Sequence, residues 1–565
     1  MKIQYDNLMC SLSNYTRKEY QSVKDACSAR PDNWQTKADA VNRHYANRGS
    51  SYRWDGWYRA LIGDRFPTGL LPKVLRELKE DRCLNPELEY TGPNNKPLIA
   101  LDSRSIELIG KTPRGKQYRA VEALLKNRRG MVVGATGSGK TLMMGLALAS
   151  LGHPKTLVLQ YSTYLVRQTA NVFREILPGN PAISMVYEDH EDWSGDIVVA
   201  GVQKVCSLLG LSVEWRQQGR RRYWKSKIAA LNNKIRNASR SNGPESPRLR
   251  KVRQEAATLQ AKLNGKDPAM RALEKGELAA AKASKIATQP HLKNFRVFIV
   301  DEAHHSQSSM YRSVRKECPN ADWAWGFTAT HDDQAPEERL SAIGVLGSPV
   351  YRISMEYQVR KGFAAEGHVF NRGLFKSMQS PHTKYMTAYS RAVVRDSQLL
   401  RSIKKDLPFF VNNGMPAIIS VDVSSQGLWY AAELNTHFVN GKTPLEERER
   451  LFNLLATGEC PYLVVGKIMN EGVDIPAIQG IFLAGQRRHP GTLKQIIGRA
   501  SRQKKHNILY VINYINYNHP TLFDHSMFRI TTLEEEECFV FHAEDTTLRR
   551  ISAGRGGLKG RTRKS

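Results

Sequence analysis

Gly134-Ala135-Thr136-Gly137-Ser138-Gly139-Lys140-Thr141 sets three glycines ahead of a lysine and a hydroxyl. Gly134, Gly137 and Gly139, with Thr136 and Ser138 between them, let backbone N–H groups curl around phosphate oxygens, and a following helix adds its positive end. Lys140 then reaches the β and γ phosphates of a nucleotide, and the Thr141 hydroxyl is suited to Mg2+. A second constellation is Asp301-Glu302-Ala303-His304. A carboxylate at a strand end beside a phosphate loop orients Mg2+ through water, the role expected of Asp301. The adjacent Glu302 is placed to polarise an attacking water, which makes the chemistry hydrolysis. A third is Gln495-Ile496-Ile497-Gly498-Arg499-Ala500-Ser501-Arg502. Arg499 and Arg502, three apart on a helix, project from one side and reach a γ phosphate across a cleft.

These groups need elements to hold them. MVVGA (131–135), TLVLQ (156–160), DIVVA (196–200) and FRVFIVDEAHH (295–305) read as buried parallel strands alternating with helices. The rhythm restarts with PAIISVD (416–422), YLVVG (462–466), GIFLAG (480–485) and ILYVINY (508–514). Two such blocks predict an α/β protein with two doubly wound parallel-sheet domains, joined through 348–365. The expected division is an aromatic-rich accessory domain at 1–108, a first α/β domain at 109–355, a second at 356–540 and a basic tail at 541–565. Within the first domain, 207–290 interrupts the strand rhythm. Trp224, Ile228, Leu231 and Ile235 form one narrow helical stripe; Leu249, Val252, Ala256, Leu259 and Leu263 form another. Turn chemistry at 241–247 between them predicts an antiparallel helical hairpin, followed by a third helix near 269–287.

Lys plus Arg total 84 against 54 Asp plus Glu, a net charge of +30 that predicts a polyanionic partner, nucleic acid first. Residues 207–290 hold 19 basic and 6 acidic residues, and 548–565 hold 7 basic and none acidic. Two thirds of the excess thus lies outside the α/β blocks. Contact with nucleic acid is expected along the hairpin, most densely at Arg220-Arg221-Arg222, whereas Trp224 is expected in the packed stripe. Seven cysteines without a C-x-x-C pair exclude zinc and iron–sulfur spacings and a disulfide framework. No apolar run reaches membrane-spanning length, and the first twenty residues are too polar for a signal peptide, so a soluble cytoplasmic protein is expected.

The ordered motifs resemble those of superfamily 2 helicases over roughly 112–540. Arg114-Gly115-Lys116-Gln117 is similar to the family's R-x-x-Q element, which assigns adenine reading to Gln117 with Arg114 beside it. Tyr161 to Gln168 resembles motif Ia, a nucleic-acid contact that falls on Arg167 and Gln168. Phe327-Thr328-Ala329-Thr330 resembles motif III, which couples hydrolysis to domain motion. Gly441 to Arg450 and Asn470-Glu471-Gly472-Val473-Asp474-Ile475-Pro476 resemble the run into motif V. The resemblance places Gly472 and Asp474 on the nucleotide and completes the site with Gln495, Arg499 and Arg502. It implies two RecA-like domains, ATP and Mg2+. The chain departs from the family at Tyr161, often Pro, and at Gly201 and Gly466, usually Thr. There the glycine N–H groups, or Gln203, Lys204 and Lys467, are left to meet the tracked strand.

Within the superfamily, PVYRIS…RKGF and the N-terminal Trp54-Asp55-Gly56 and Phe66 to Leu71 phrases resemble phage UvsW-type helicases. That type implies a monomeric motor on branched or duplex DNA, tracking one strand, with recombination or replication proteins as partners, no membrane, and the host cytoplasm if phage-encoded. Translocation on duplex without unwinding, RNA unwinding and an inactive-motor scaffold remain alternatives.

Overall fold

The computed structural model describes residues 1–46, 51, 53–82, 84–93, 98–238, 247–375, 378–466, 478–485, 493–494, 497–498 and 508–551. The N-terminal layer is a four-stranded sheet of β1 (Lys2–Tyr5), β2 (Met9–Ser13), β3 (Arg65–Pro67) and β4 (Glu87–Tyr90), in the order β3-β2-β1-β4. It docks on the first α/β sheet through buried polar contacts. Arg315 and Arg129 both donate to the Asn7 carbonyl, at 2.7 and 2.8 Å, and Asn7 Nδ2 donates to the Pro319 carbonyl at 3.0 Å. Burial pulls the Arg315 guanidinium down to about 9, with Arg129 adding repulsion.

The first α/β sheet has eight strands: β5 (Arg129–Gly134), β6 (Thr156–Gln160), β7 (Ile183–Tyr187), β8 (His190–Glu191), β9 (Ile197–Gly201), β10 (Val297–Asp301), β11 (Trp323–Thr328) and β12 (Pro349–Ile353). Their order is β8-β7-β9-β6-β10-β11-β5-β12, parallel throughout except for β8 on its edge. β6, β9 and β10 are buried at every residue because helices cover both faces, which is why they read as unbroken apolar runs. The second sheet has seven parallel strands: β13 (Glu366–Leu374), β14 (Ala417–Ser420), β15 (Phe438–Val439), β16 (Tyr462–Val465), β17 (Gly480–Leu483), β18 (Ile508–Asn516) and β19 (Phe539–His542). Their order is β15-β16-β14-β17-β18-β13-β19. All eight strands read from the sequence are present.

The expected limits shift in three places. Leu98, Ile106 and Leu108 pack into the core of the first α/β sheet, so the chain has left the N-terminal layer before residue 108. The joining segment 348–365 is partly β12, hydrogen-bonded beside β5, and partly a short helix. β19 runs beyond residue 540 because its backbone pairs with β13 as the sheet's edge, so the expected tail begins inside a strand.

Seven helices of the first α/β unit are used below: α1 (Gly115–Asn127), α2 (Lys140–Ser150), α3 (Thr163–Ile176), α4 (Val202–Leu208), α5 (Leu211–Ala238), α6 (Pro247–Leu263) and α7 (Pro268–Lys293). The predicted hairpin is α5 against α6. Trp224, Ile228 and Leu231 on α5 and Ala256 on α6 are buried in the seam, Trp224 as expected. Residues 239–246, including most of the expected turn, and 552–565, most of the basic tail, lie outside the described residues. Among the described residues no helix is long and apolar enough to cross a membrane, and the six described cysteines are free thiols.

Candidate functional site

The phosphate loop joins β5 to α2. Gly137 and Gly139 adopt φ of 83° and 81°, the left-handed region that lets successive N–H groups turn to one side. Lys140 and Thr141 open α2, beside the adjacent strands β11 and β10. Asp301 ends β10, buried at 7% exposure. Its Oδ1 accepts the Glu302 N–H at 2.9 Å and its Oδ2 accepts Gln160 Nε2 at 3.1 Å. Gln160 ends β6 and also donates to Thr169 Oγ1 at 2.7 Å. Burial and the neighbouring Glu302 carboxylate push the Asp301 acid up to about 6, against Lys140 and the Gln160 hydrogen bond.

Glu302 leaves the strand in the left-handed region, φ 48°, a conformation costly for a side chain with a Cβ and found where function needs it. Its Oε2 lies 3.5 Å from His304 Nδ1, and that nitrogen lies 3.1 Å from Thr328 Oγ1 at the end of β11. The Thr330 N–H donates to the same hydroxyl at 3.2 Å. Phe327 to Thr330 is therefore wired to the Asp301–His304 turn. Tyr161, at the departure from the family, stacks on His305 with centroids 4.4 Å apart, and burial holds the His305 imidazole below its ordinary range.

Gln117 is held by the protein through both ends of its amide. Its Oε1 accepts the Arg114 N–H at 2.7 Å, capping α1, and its Nε2 donates to the Ser138 carbonyl at 2.7 Å. Its amide thus braces the phosphate loop from beneath, since at 4% exposure the nearest acceptor is the loop itself. Arg114 lies over the Phe363 ring, 3.7 Å from its centroid, and Lys116 over Tyr357 at 3.8 Å. The short helix Met355–Arg360 and Phe363 therefore roof the element, a feature that only the RKGF phrase hinted at.

The second sheet reaches this site at two described points. A Cβ built on Gly498 would lie 2.6 Å from Thr136 Cβ, so the Gly498 backbone is pressed on the phosphate loop. Lys494 Nζ lies 2.9 Å from Asp333 Oδ1, just past β11, and 2.8 Å from Glu536, tying the two α/β units together. Sequence reasoning passed over Lys494 and Gln160, which carry no motif of their own, and met Phe363 only as the end of the RKGF phrase. Gly472, Asp474, Gln495, Arg499, Arg502 and Lys467 lie outside the described residues.

The donor set fits Mg2+. Asp301 is a buried carboxylate at a strand end beside the phosphate loop, and the Thr141 hydroxyl is a hard oxygen of the kind Mg2+ takes.

Of the expected nucleic-acid contacts, Arg167 on α3 and Gln203 on α4 are exposed and Gln168 is half-buried. Lys204 is 3.7 Å from Glu191. Arg220 and Arg221 require correction. Arg220 makes two hydrogen bonds to Glu277, at 2.9 and 2.6 Å, and Arg221 lies 3.6 Å from Glu274. Both glutamates sit on α7, so these arginines fasten α5 to α7, while Arg222 is exposed.

Two family models match the chain: "Type III restriction enzyme, res subunit" over residues 110–333 and "Helicase conserved C-terminal domain" over 410–504, together more than half of it. The Rad25 protein of Halobacterium salinarum, whose name describes a DNA 3'-5' helicase, is 27% identical over 226 residues, 39% of this chain and 36% of that protein. Helicase 22 of Sulfolobus islandicus filamentous virus is 23% identical over 260 residues, 43% of this chain and 46% of its own length. The chain thus spans between a third and a half of these relatives. The crystal structure of T4 UvsW aligns over 96% of this chain and 99% of that one at 14% identity, with a TM-score of 0.39.

Proposed function

The chain belongs to the superfamily 2 helicases, and from that premise we propose that it is an ATP-dependent DNA helicase that unwinds or remodels branched DNA. The observation that carries this reading is the convergence of three separate runs: the phosphate loop, the Asp301–Glu302 turn and Gly498 of the second unit. Lys140 is assigned to the β and γ phosphates, Thr141 and Asp301 to the cation, and Glu302 to accepting a proton from the attacking water. When bound, Mg2+ supplies positive charge to the phosphates. Arg499 follows Gly498 directly in sequence, so Arg499 and Arg502 are assigned to the transferring phosphoryl group and Gln495 to the same run. The Thr328–His304–Glu302 contacts join the turn that carries Glu302 to the end of β11 within the first unit, and the resemblance to motif III assigns this link to coupling hydrolysis with domain motion.

Two considerations favour DNA: the Rad25 relatives are named DNA helicases, and the net charge is +30. Remodelling of forks and junctions rests on the UvsW-type phrases at 54–56, 66–71 and 349–363. The test compares ATPase stimulation and unwinding on single strands, duplex, forks, four-way junctions and RNA. Forks and junctions should be preferred; stimulation by RNA alone, or hydrolysis indifferent to Lys140→Ala, would sink the assignment.

A further inference from the structure

The insertion uses its acids inward. Glu277 and Glu274 on α7 hold Arg220 and Arg221 of α5, Glu255 on α6 lies 2.6 Å from Lys227 of α5, and Asp267 caps α7 by accepting the Met270 N–H at 3.0 Å. These are all the acids of 207–290 except Glu214 and Glu245, whose side chains lie outside the described residues. Mixed charges serving solubility would be shared out over the surface. Here each described acid meets a partner within the insertion, Glu274 and Glu277 half-buried and Glu255 at the surface, and many of the described cations face solvent.

The surplus on α7 is ordered. Arg271, Lys275, Lys282 and Lys293 are all exposed, and among the described residues none makes an ion pair. At about 100° per residue, Arg271, Lys282 and Lys293 recur every third turn within roughly 40° of one another, and Lys275 falls on the same line. The face turned toward α5 and the motor carries Glu274, Glu277, Thr288 and Leu292, roughly 110° around the helix from the cationic line, which shares the solvent-facing side with exposed Leu278 and Ile286. Twenty-two residues at about 1.5 Å each make a rail of about 33 Å, against about 34–36 Å for one turn of B-form duplex. Its inner end opens directly into β10, and α7 packs on α4, which carries Gln203 and Lys204.

We propose that the outer face of α7 is a docking surface for the backbone of a duplex DNA arm, about one helical turn long, beside the strand-tracking groove. The inference rests on the DNA-motor reading and deepens it. It moves the insertion's contact from Arg220-Arg221 on α5 to Arg271, Lys275 and Lys282 on α7.

The test neutralises the rail in the full chain, as Arg271→Gln, Lys275→Gln and Lys282→Gln together. Binding to blunt duplex, single strand, duplex RNA and polyglutamate is followed from about 50 to 200 mM salt. The slope of log K against log salt for duplex DNA should fall by about 3, since each lost phosphate contact removes about 0.9. Single-strand affinity and basal ATPase should be unchanged. A matched control, Arg222→Gln with Lys225→Gln and Arg236→Gln on α5, should leave most of the slope intact. An unchanged duplex slope, an equal fall in the control, or duplex RNA or polyglutamate bound as tightly as duplex DNA would overturn the rail. If the unaltered protein shows neither DNA-stimulated hydrolysis nor DNA binding, the motor reading itself has failed. If it shows both and the rail variant behaves identically, only the rail has.

Discussion

The phosphate-loop site and the helical insertion are both defined by charge, and they spend it in opposite ways. At the site several polar groups are buried or half-buried and held by directional partners: Asp301 by Gln160 and the Glu302 N–H, His304 by Thr328, Gln117 by Ser138. In the insertion the described acids meet partners within the insertion itself, and Arg271, Lys275, Lys282 and Lys293 of α7 are exposed. Buried, oriented groups act as a unit, so losing one disables the rest. Exposed cations act additively through a long-range field, so losing one costs a small, salt-dependent share.

The largest test of this contrast is Glu302→Gln, which keeps the shape and removes the proton acceptor. DNA-stimulated hydrolysis should fall by about 10²–10⁴, with nucleotide affinity retained; a loss below about tenfold would show that the water is activated elsewhere. The next uses pH. The folded-state acid of Asp301 is raised from 3.8 to about 6, so the folded protein binds the extra proton more tightly and stability falls as pH rises through that window. Asp301→Asn without nucleotide should therefore melt higher than the parent above pH 6, by up to roughly 3 kcal/mol, and the gap should close below about pH 4. A gap that widened on acidification would mean the carboxylate is stabilised where it lies.

Gly498→Val pushes methyl groups into Thr136 across the two units. Overpacking of about 1–3 kcal/mol should cut turnover at least about tenfold while nucleotide binding to the phosphate loop alone persists. Unaltered turnover would show that hydrolysis does not need this contact. The smallest effect should be Arg220→Gln, which breaks a half-exposed pair worth no more than about 1 kcal/mol and leaves the duplex salt slope unchanged. A slope falling by about one contact would return Arg220 to the DNA-facing set.

The fold was legible where burial left a simple pattern. β6, β9 and β10, covered on both faces, are short, mostly apolar runs rich in β-branched residues, and the hairpin stripes repeat at helical spacing. β11 was not, because Trp323-Ala324-Trp325-Gly326 fills its buried positions with aromatic and small residues rather than β-branched ones. The site was legible where chemistry demands fixed spacing, as in Gly134–Thr141 and Asp301–His304. Gln160, Lys494 and Phe363 were hidden because their partners are far away in sequence. Gln117 and Arg220 carry residue types that suit a ligand and also have internal partners, which the sequence did not reveal.

The rooting of the insertion has a consequence for how the chain folds. β9 and β10 both flank β6, yet 95 residues separate them. At the base, a Cβ on Gly210 would lie 2.9 Å from Ala281 Cβ, so α5 begins against α7. Helical pairs zip locally in microseconds, long before a parallel sheet assembles. Once α5, α6 and α7 have met, the loop left to close between β9 and β10 shrinks to α4 and the last turns of α7, about two halvings of its length. Each halving recovers roughly 0.6 kcal/mol of closure entropy, which is a several-fold gain in the rate at which the hydrolytic strand finds its place. Early folding of the insertion thus offsets much of the closure cost that its own length imposes on the strand that carries Asp301.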